Sequence, residues 1–183
     1  FAASHEVVGL TRAELDVTRH SRVLETVREV RPAAIINCAA YNDVDGAESR
    51  AVHAMAVNAF ATRSLAAAAC DVAATLVHYS TDFVFEGTAH RPYWETDPPN
   101  PQSVYATSKL LGEWFAADVS RHYVLRVESL FGRSAVGTAG ERTRGSSLDR
   151  MADAMIEGRT VRAFTDRTVS PSYVDDVATA TSG

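Results

Sequence analysis

The 183 residues carry 46% apolar side chains and a formal net charge of −5, enough to bury a core as one domain or a domain with the start of another. No basic patch interleaved with aromatics occurs, no apolar run approaches the roughly 18 residues of a membrane span, and Phe1–His5 lacks a signal peptide's basic head and apolar core. These features exclude nucleic acid and membrane as main partners and predict a soluble, cytoplasmic protein.

In chain order, Glu6–Leu10 predicts a short buried strand, and Ser21–Val30 a helix with Val23, Leu24, Val27 and Val30 on one face. Ala33–Cys38 reads as the next strand, Ala47–Ala69 as a long alanine-rich helix, and Ala74–Tyr79 as a further strand. Continuously apolar strands separated by helices predict an α/β fold, a Rossmann-like doubly wound parallel sheet covered on both faces. Residues 86 to 101, with Gly87, Pro92, Pro98, Pro99 and Pro101, form a loop. A helix over Ser103–Ala117 and a strand over Tyr123–Val127 follow. Beyond Gly132, Arg133–Ser146 predicts a mobile loop over the site, Leu148–Ile156 a helix, Thr160–Phe164 a short strand, and Tyr173–Thr181 a helix capped by Ser172. The division is a cofactor-binding domain over 1–132 and a smaller substrate-binding region over 133–183. Cys38 and Cys70 are read as small buried side chains, and six scattered histidines give no metal spacing.

Chemistry concentrates at Ser80-Thr81-Asp82 and at Tyr105-x-x-x-Lys109, where Lys109 is the single lysine among eighteen basic side chains. Positions i and i+4 share a helix face, so the ammonium can lie beside the phenol and is expected to lower its proton affinity. Thr81, where an apolar strand ends, can donate to the substrate oxygen that Tyr105 protonates.

Asn37-Cys38-Ala39-Ala40-Tyr41, Asn58, Tyr79-Ser80-Thr81-Asp82-Phe83-Val84-Phe85, Tyr105-x-x-x-Lys109 and Asp166-Arg167-x-x-Ser170-Pro171-Ser172-Tyr173-Val174-Asp175-Asp176 together resemble an extended short-chain dehydrogenase/reductase. Within it they resemble the dTDP-4-dehydrorhamnose reductase branch, in order over nearly the whole chain. The resemblance implies a catalytic set of Thr81, Tyr105 and Lys109, with Asn58 supporting the lysine. It implies Leu15-Asp16-Val17 beside the adenine, Ala39-Ala40-Tyr41 and Ser80 along the cofactor, and Asp82, Phe83 and Val84 toward the substrate. Such sheets open with a strand and a Gly-rich turn, so that strand and turn are expected before Phe1, and further chain after Gly183.

Two departures bear on the substrate. Ser129 stands where the branch carries a tryptophan that helps hold the sugar, and Val169 where a glycine is common. Arg144 and Arg150, with Arg133 and Arg142, are candidates for a pyrophosphate, against the alternative of a solvated arginine-rich loop. Thr11-Arg12 follows the predicted strand where many such sheets place an acidic residue on the adenosine ribose. A guanidinium there predicts NADP(H) in preference to NAD(H), with NAD(H) still usable. The implied reaction is reduction of the 4-keto group of a nucleotide-linked deoxysugar. An epimerase or dehydratase, and a non-catalytic nucleotide-binding regulatory subunit, stay open as alternatives. The oligomeric state is open, a homodimer included.

Overall fold

A computed structural model describes residues 5–132, 146–162, 165 and 168–182. They fall into two compact units, Phe1–Arg126 and Val127–Gly183. In the first, helix α1 (His20–Val30) leads to strand β1 (Ala34–Asn37), and the long helical stretch that follows is segmented into α2 (Val44–Ser49), α3 (Ala51–Met55), a π-helical turn (Ala56–Phe60) and α4 (Ala61–Val72). Strand β2 (Thr75–Thr81), a 3-10 turn (Asp82–Val84), α5 (Val104–Ala116) and β3 (His122–Val127), whose last residue opens the second unit, follow. The described strands are ordered β1-β2-β3, with β1 and β2 parallel and Ala34 opposite Thr75. This is the expected Rossmann-like α/β pattern.

The core explains the alanine content. Val23 and Val27 of α1 pack on Leu65, Ala66, Ala68 and Ala69 of α4, and these meet Leu76 of β2 with Ala116 and Val119. Small side chains let α4 approach both α1 and the sheet, and close packing of this kind supplies most of the stabilisation of such a layer. Gly112 has a similar reason: a Cβ there would lie 2.5 Å from the Asn58 carbonyl oxygen and 3.1 Å from His78 Nε2. Only a glycine lets α5 come this near the π turn.

Several expectations are corrected. Glu6–Leu10 is not a strand; it is irregular, with Val7, Val8 and Leu10 exposed, because β-structure needs ladder partners that apolar composition cannot supply. The single helix expected over Ala47–Ala69 breaks at Arg50, whose φ of −125° leaves the helical region, and bulges at Ala56–Phe60. Strand β1 is covered unevenly, with Ala34 and Ile36 exposed and Asn37 buried. Cys38 and Cys70 are both exposed, one just past the end of β1 and one on an outward position of α4. Residues 160–162 form no strand, while 163 and 164, the loop at 133–145, and Asp166 and Arg167 lie outside the described residues.

The second unit contains α6 (Ser147–Ile156) and α7 (Val174–Ser182). Ser146 and Asp149 cap α6 reciprocally, each side chain accepting the other's backbone N–H. Ser172 does not cap α7: its hydroxyl accepts from the Glu128 N–H at 3.4 Å, and Tyr173 forms a parallel bridge with Phe131. The Ser170–Tyr173 segment, which carried the resemblance, therefore meets the residues flanking the departure at Ser129, and Glu128 Oε2 also accepts from the Ser170 N–H at 2.6 Å.

Candidate active site

The end of β2, the 3-10 turn, the π turn and the first turns of α5 converge on one place. Thr81 is the last residue of β2 and caps the 3-10 turn, its hydroxyl accepting from the Phe83 N–H at 3.2 Å. Ser103 caps α5 by accepting from the Ala106 N–H at 3.1 Å, which sets the rotation of the helix that carries Tyr105 and Lys109. Both side chains are buried, Tyr105 to 9% exposure and Lys109 to 3%. The Tyr105 phenol lies near enough to the Thr81 hydroxyl for that hydroxyl to act on its titration, and Phe83 meets its ring edge-on at 6.1 Å. The structure thus brings together the three residues singled out as catalytic candidates.

Their electrostatics differ from the expectation. Burial pushes the Tyr105 phenol above its ordinary value, the Thr81 bond pulls the other way, and the Asp82 carboxylate pushes it up again. Lys109 donates to the Tyr79 carbonyl rather than lowering the phenol. Burial also brings Lys109 down to about 8, opposed by the Glu113 carboxylate one turn along α5. Desolvation therefore outweighs the Thr81 hydroxyl at Tyr105, and the phenol stays protonated at neutral pH.

Asn58 lies in the π turn at 1% exposure. Its Oδ1 accepts from the Tyr41 N–H at 2.8 Å, and its Nδ2 donates to the Tyr41 carbonyl at 3.2 Å and to Ser108 Oγ at 2.9 Å. It latches the loop after β1 to α5 beside the candidate residues. A π turn inserted in an otherwise α-helical stretch is a common way to aim one side chain at a site.

His78 of β2 is the residue that scattered spacing hid. It is 1% exposed, and its Nδ1 lies 3.1 Å from Asn37 Nδ2. The asparagine amide donates, so the ring proton sits on Nε2, which is buried without a partner among the described residues. Burial, with the Lys109 charge added, lowers His78 to about 3. Between about 6.5 and about 3 the unfolded chain binds the proton that the folded chain refuses, so stability present above pH 6.5 is lost as pH falls through this window. The expected loss by pH 5 is about 2 kcal/mol. Urea unfolding at pH 7 and pH 5 checks it, and equal midpoints would mean the site admits the charge.

The other sequence candidates are dispersed. Thr11 caps a turn, its N–H and hydroxyl both bonding Glu14 Oε2 at 2.7 Å. Asp16 accepts from Thr18, Val17 is half-buried, and Arg12 is exposed. Arg12, Glu14, Asp16, Arg19 and Arg22 line a concavity of about 340 Å³. Ala39 and Ala40 are half-buried after β1, with the Ala39 N–H bonded to Asn37 Oδ1. The hydroxyls of Ser80 and Tyr41 are buried without a partner among the described residues. Phe83 stands exposed, whereas Val84 is fully buried and belongs to the core. Ser129 is exposed in the second unit at φ 42°, Arg150 donates to Ser147 Oγ at 3.0 Å, and Arg144 lies outside the described residues. Sequence reasoning passed over Glu113, although Tyr105, Lys109 and Glu113 recur every four residues, a readable single helix face. It also passed over Arg126, which grips Glu113 with bonds of 2.9 and 2.6 Å.

Among the described residues, no group of three or more His, Cys, Asp or Glu is placed to hold a metal ion, and no helix is long and apolar enough to cross a membrane. The fold is similar to that of a dTDP-4-dehydrorhamnose reductase from Bacillus anthracis solved in complex with NADP, at TM-score 0.89 and 31% identity over all of this chain and 62% of that one. In sequence, the chain is 38% identical to a probable low-salt glycan biosynthesis reductase, Agl14, of Haloferax volcanii, over 97% of this chain and 61% of that protein. It is 40% identical to a dTDP-4-dehydrorhamnose reductase of Mycobacterium tuberculosis, over 96% of this chain and 56% of the relative. The chain thus spans about three-fifths of the length of the curated relatives it matches. Residues 1–182 match the family described as the RmlD substrate binding domain, and the chain belongs to that family.

Proposed function

We propose that this chain forms the cofactor-binding and catalytic part of an NAD(P)H-dependent reductase that turns the 4-keto group of a nucleotide-linked deoxysugar into an alcohol. The observation that carries the reading is the buried Tyr105 phenol, raised above its ordinary value by burial and set beside the buried Thr81 hydroxyl at the end of β2. A protonated phenol is the form that reduction of a ketone consumes. Similarity to dTDP-4-dehydrorhamnose reductases supports the substrate class.

The residues fit a nicotinamide dinucleotide. The Lys109 ammonium and the buried hydroxyls of Ser80 and Tyr41, which have no partner among the described residues, offer donors suited to ribose and carboxamide oxygens. Ala39, Ala40 and Tyr41 would flank the cofactor's middle, and Thr11, Arg12, Asp16 and Val17 its adenosine end. When bound, the reduced nicotinamide supplies hydride to the carbonyl carbon. Tyr105 transfers its phenolic proton to the carbonyl oxygen, Thr81 holds that oxygen by a hydrogen bond, and Lys109 stabilises the phenolate left behind. Asn58 acts by holding Tyr41 and Ser108 in place. Asp82 and Phe83 would face the sugar, with Val84 packing beneath them, while Ser129, Arg144 and Arg150 belong to a substrate region over 133–183 and its approach. A cytoplasmic location goes with use of the reduced nicotinamide pool.

The three arginines of the concavity at residues 12 to 22 favour a 2′-phosphate, and Glu14 and Asp16 temper the preference. A charge-assisted pair from Arg12 contributes about 1.5–3 kcal/mol, or about ten- to a hundredfold in affinity. The test is steady-state turnover of the full-length protein with a panel of nucleotide sugars and both cofactors. One NADPH is expected to be oxidised per sugar reduced, with kcat/KM for NADPH above that for NADH. Turnover without net cofactor consumption would point to an epimerase, and equal efficiencies would remove Arg12 from phosphate recognition.

A further inference from the structure

We propose that Glu113 is a positioning residue for Lys109, a carboxylate pinned by Arg126 one helical turn along α5 that keeps the buried ammonium charged and directed at the Tyr79 carbonyl. The inference deepens the reductase reading and rests on it for its consequence in turnover, though not for its physical content. Glu113 is 7% exposed, and a carboxylate is stable at that depth only when paired and hydrogen-bonded. Arg126 meets both of its oxygens, Nε to Oε1 at 2.9 Å and Nη2 to Oε2 at 2.6 Å. The guanidinium is itself braced, donating to the Glu95 carbonyl at 3.3 Å and lying 4.9 Å above the Phe85 ring, which stacks on Tyr93 at 4.4 Å. That bracing joins the irregular segment at residues 85 to 95, β3 and α5 at one carboxylate.

The result is a partly buried row of alternating charge, Arg126, Glu113 and Lys109, with the Glu95 carboxylate also acting on Arg126. Charged or titratable groups on the elements packed against α5 include His78 on β2, Asp82 in the 3-10 turn, Glu48 on α2, His53 on α3 and Arg63 on α4. His78 couples to Lys109 but is uncharged above pH 3. Asp82 acts on Tyr105, Glu48 accepts from the Val104 N–H at the start of α5, His53 stacks edge-on against Tyr41, and Arg63 lies over Phe115. Glu113 is the carboxylate whose charge opposes the burial of Lys109.

The test is a pH titration of the Lys109 13Cε resonance in the full-length protein, assigned by its loss in Lys109→Arg. Glu113→Gln keeps the shape of the site and removes the charge. Its Lys109 midpoint is expected to fall from about 8 by about one pH unit, and the alkaline limb of kcat/KM to move with it. Arg126→Met frees the carboxylate for Lys109 alone, and the midpoint is expected to rise, while Glu113→Asp keeps it in place. Opposite shifts from the two charge-removing variants are an outcome that loss of packing would not produce. Midpoints unchanged in both charge-removing variants overturn the proposal. If Glu113→Gln does not fold, Arg126→Met decides, and a midpoint that fails to rise overturns it. Because the midpoint is read without substrate, shifted midpoints in a protein with no reductase activity would fault the reaction and not the pairing.

Discussion

Replacing Tyr105 by phenylalanine in the full-length protein is expected to lower kcat by about a thousandfold, the scale on which a positioned proton donor contributes, and to leave cofactor affinity nearly unchanged. The ring packs with Ala47 and Ala54 and against Tyr41, Val44 and Val104, and phenylalanine preserves all of that surface. Only the hydroxyl goes, and with it the proton for the substrate oxygen. Thermal unfolding should therefore move little while turnover collapses. Single-turnover kinetics with saturating NADPH and a cofactor titration check the two halves separately. A variant with full activity would sink the assignment of Tyr105.

Asn58→Ala is expected to act on the fold and only through it on the site. The side chain satisfies both backbone groups of Tyr41 and the Ser108 hydroxyl from a position with 1% exposure. Alanine leaves those groups without partners, and buried polar groups stripped of hydrogen bonds cost about 1–3 kcal/mol each, so a loss of about 3 kcal/mol is expected. For a chain of this size that is a fall in Tm of roughly 6–12 °C, readable by calorimetry. The Tyr41 loop would also loosen from α5, raising KM for the cofactor more than it lowers kcat. A Tm change below about 2 °C would mean that water replaces the side chain at little cost.

The distinction between these two residues shows how far the sequence reached. Tyr105 and Lys109 were legible because i and i+4 spacing has one geometric meaning on a helix, and because a chain with a single lysine draws attention to it. Asn58 was legible only by resemblance, and its physical role depends on a π turn that interrupts the alanine-rich stretch where 3.6-residue periodicity predicts one unbroken helix. The strand expected at Glu6–Leu10 failed for the opposite reason. Val7, Val8 and Leu10 have strand-like composition, but a strand exists only with neighbours to complete its ladder.

What the sequence by itself determined is the alternation of apolar strands and amphipathic helices, hence the parallel α/β fold, and the co-facial placement of Tyr105 and Lys109 on α5. Both follow from local periodicity. What only the tertiary structure decided is the charge state of the site: the raised Tyr105 phenol, the lowered Lys109 ammonium, the neutral His78, and the Arg126 grip on Glu113 across thirteen residues. These depend on how deeply each group is buried and on which partners the packing of β2, β3 and α5 brings to it. Desolvation and Coulomb energies are set by distances in three dimensions, and separation along the chain does not fix those distances.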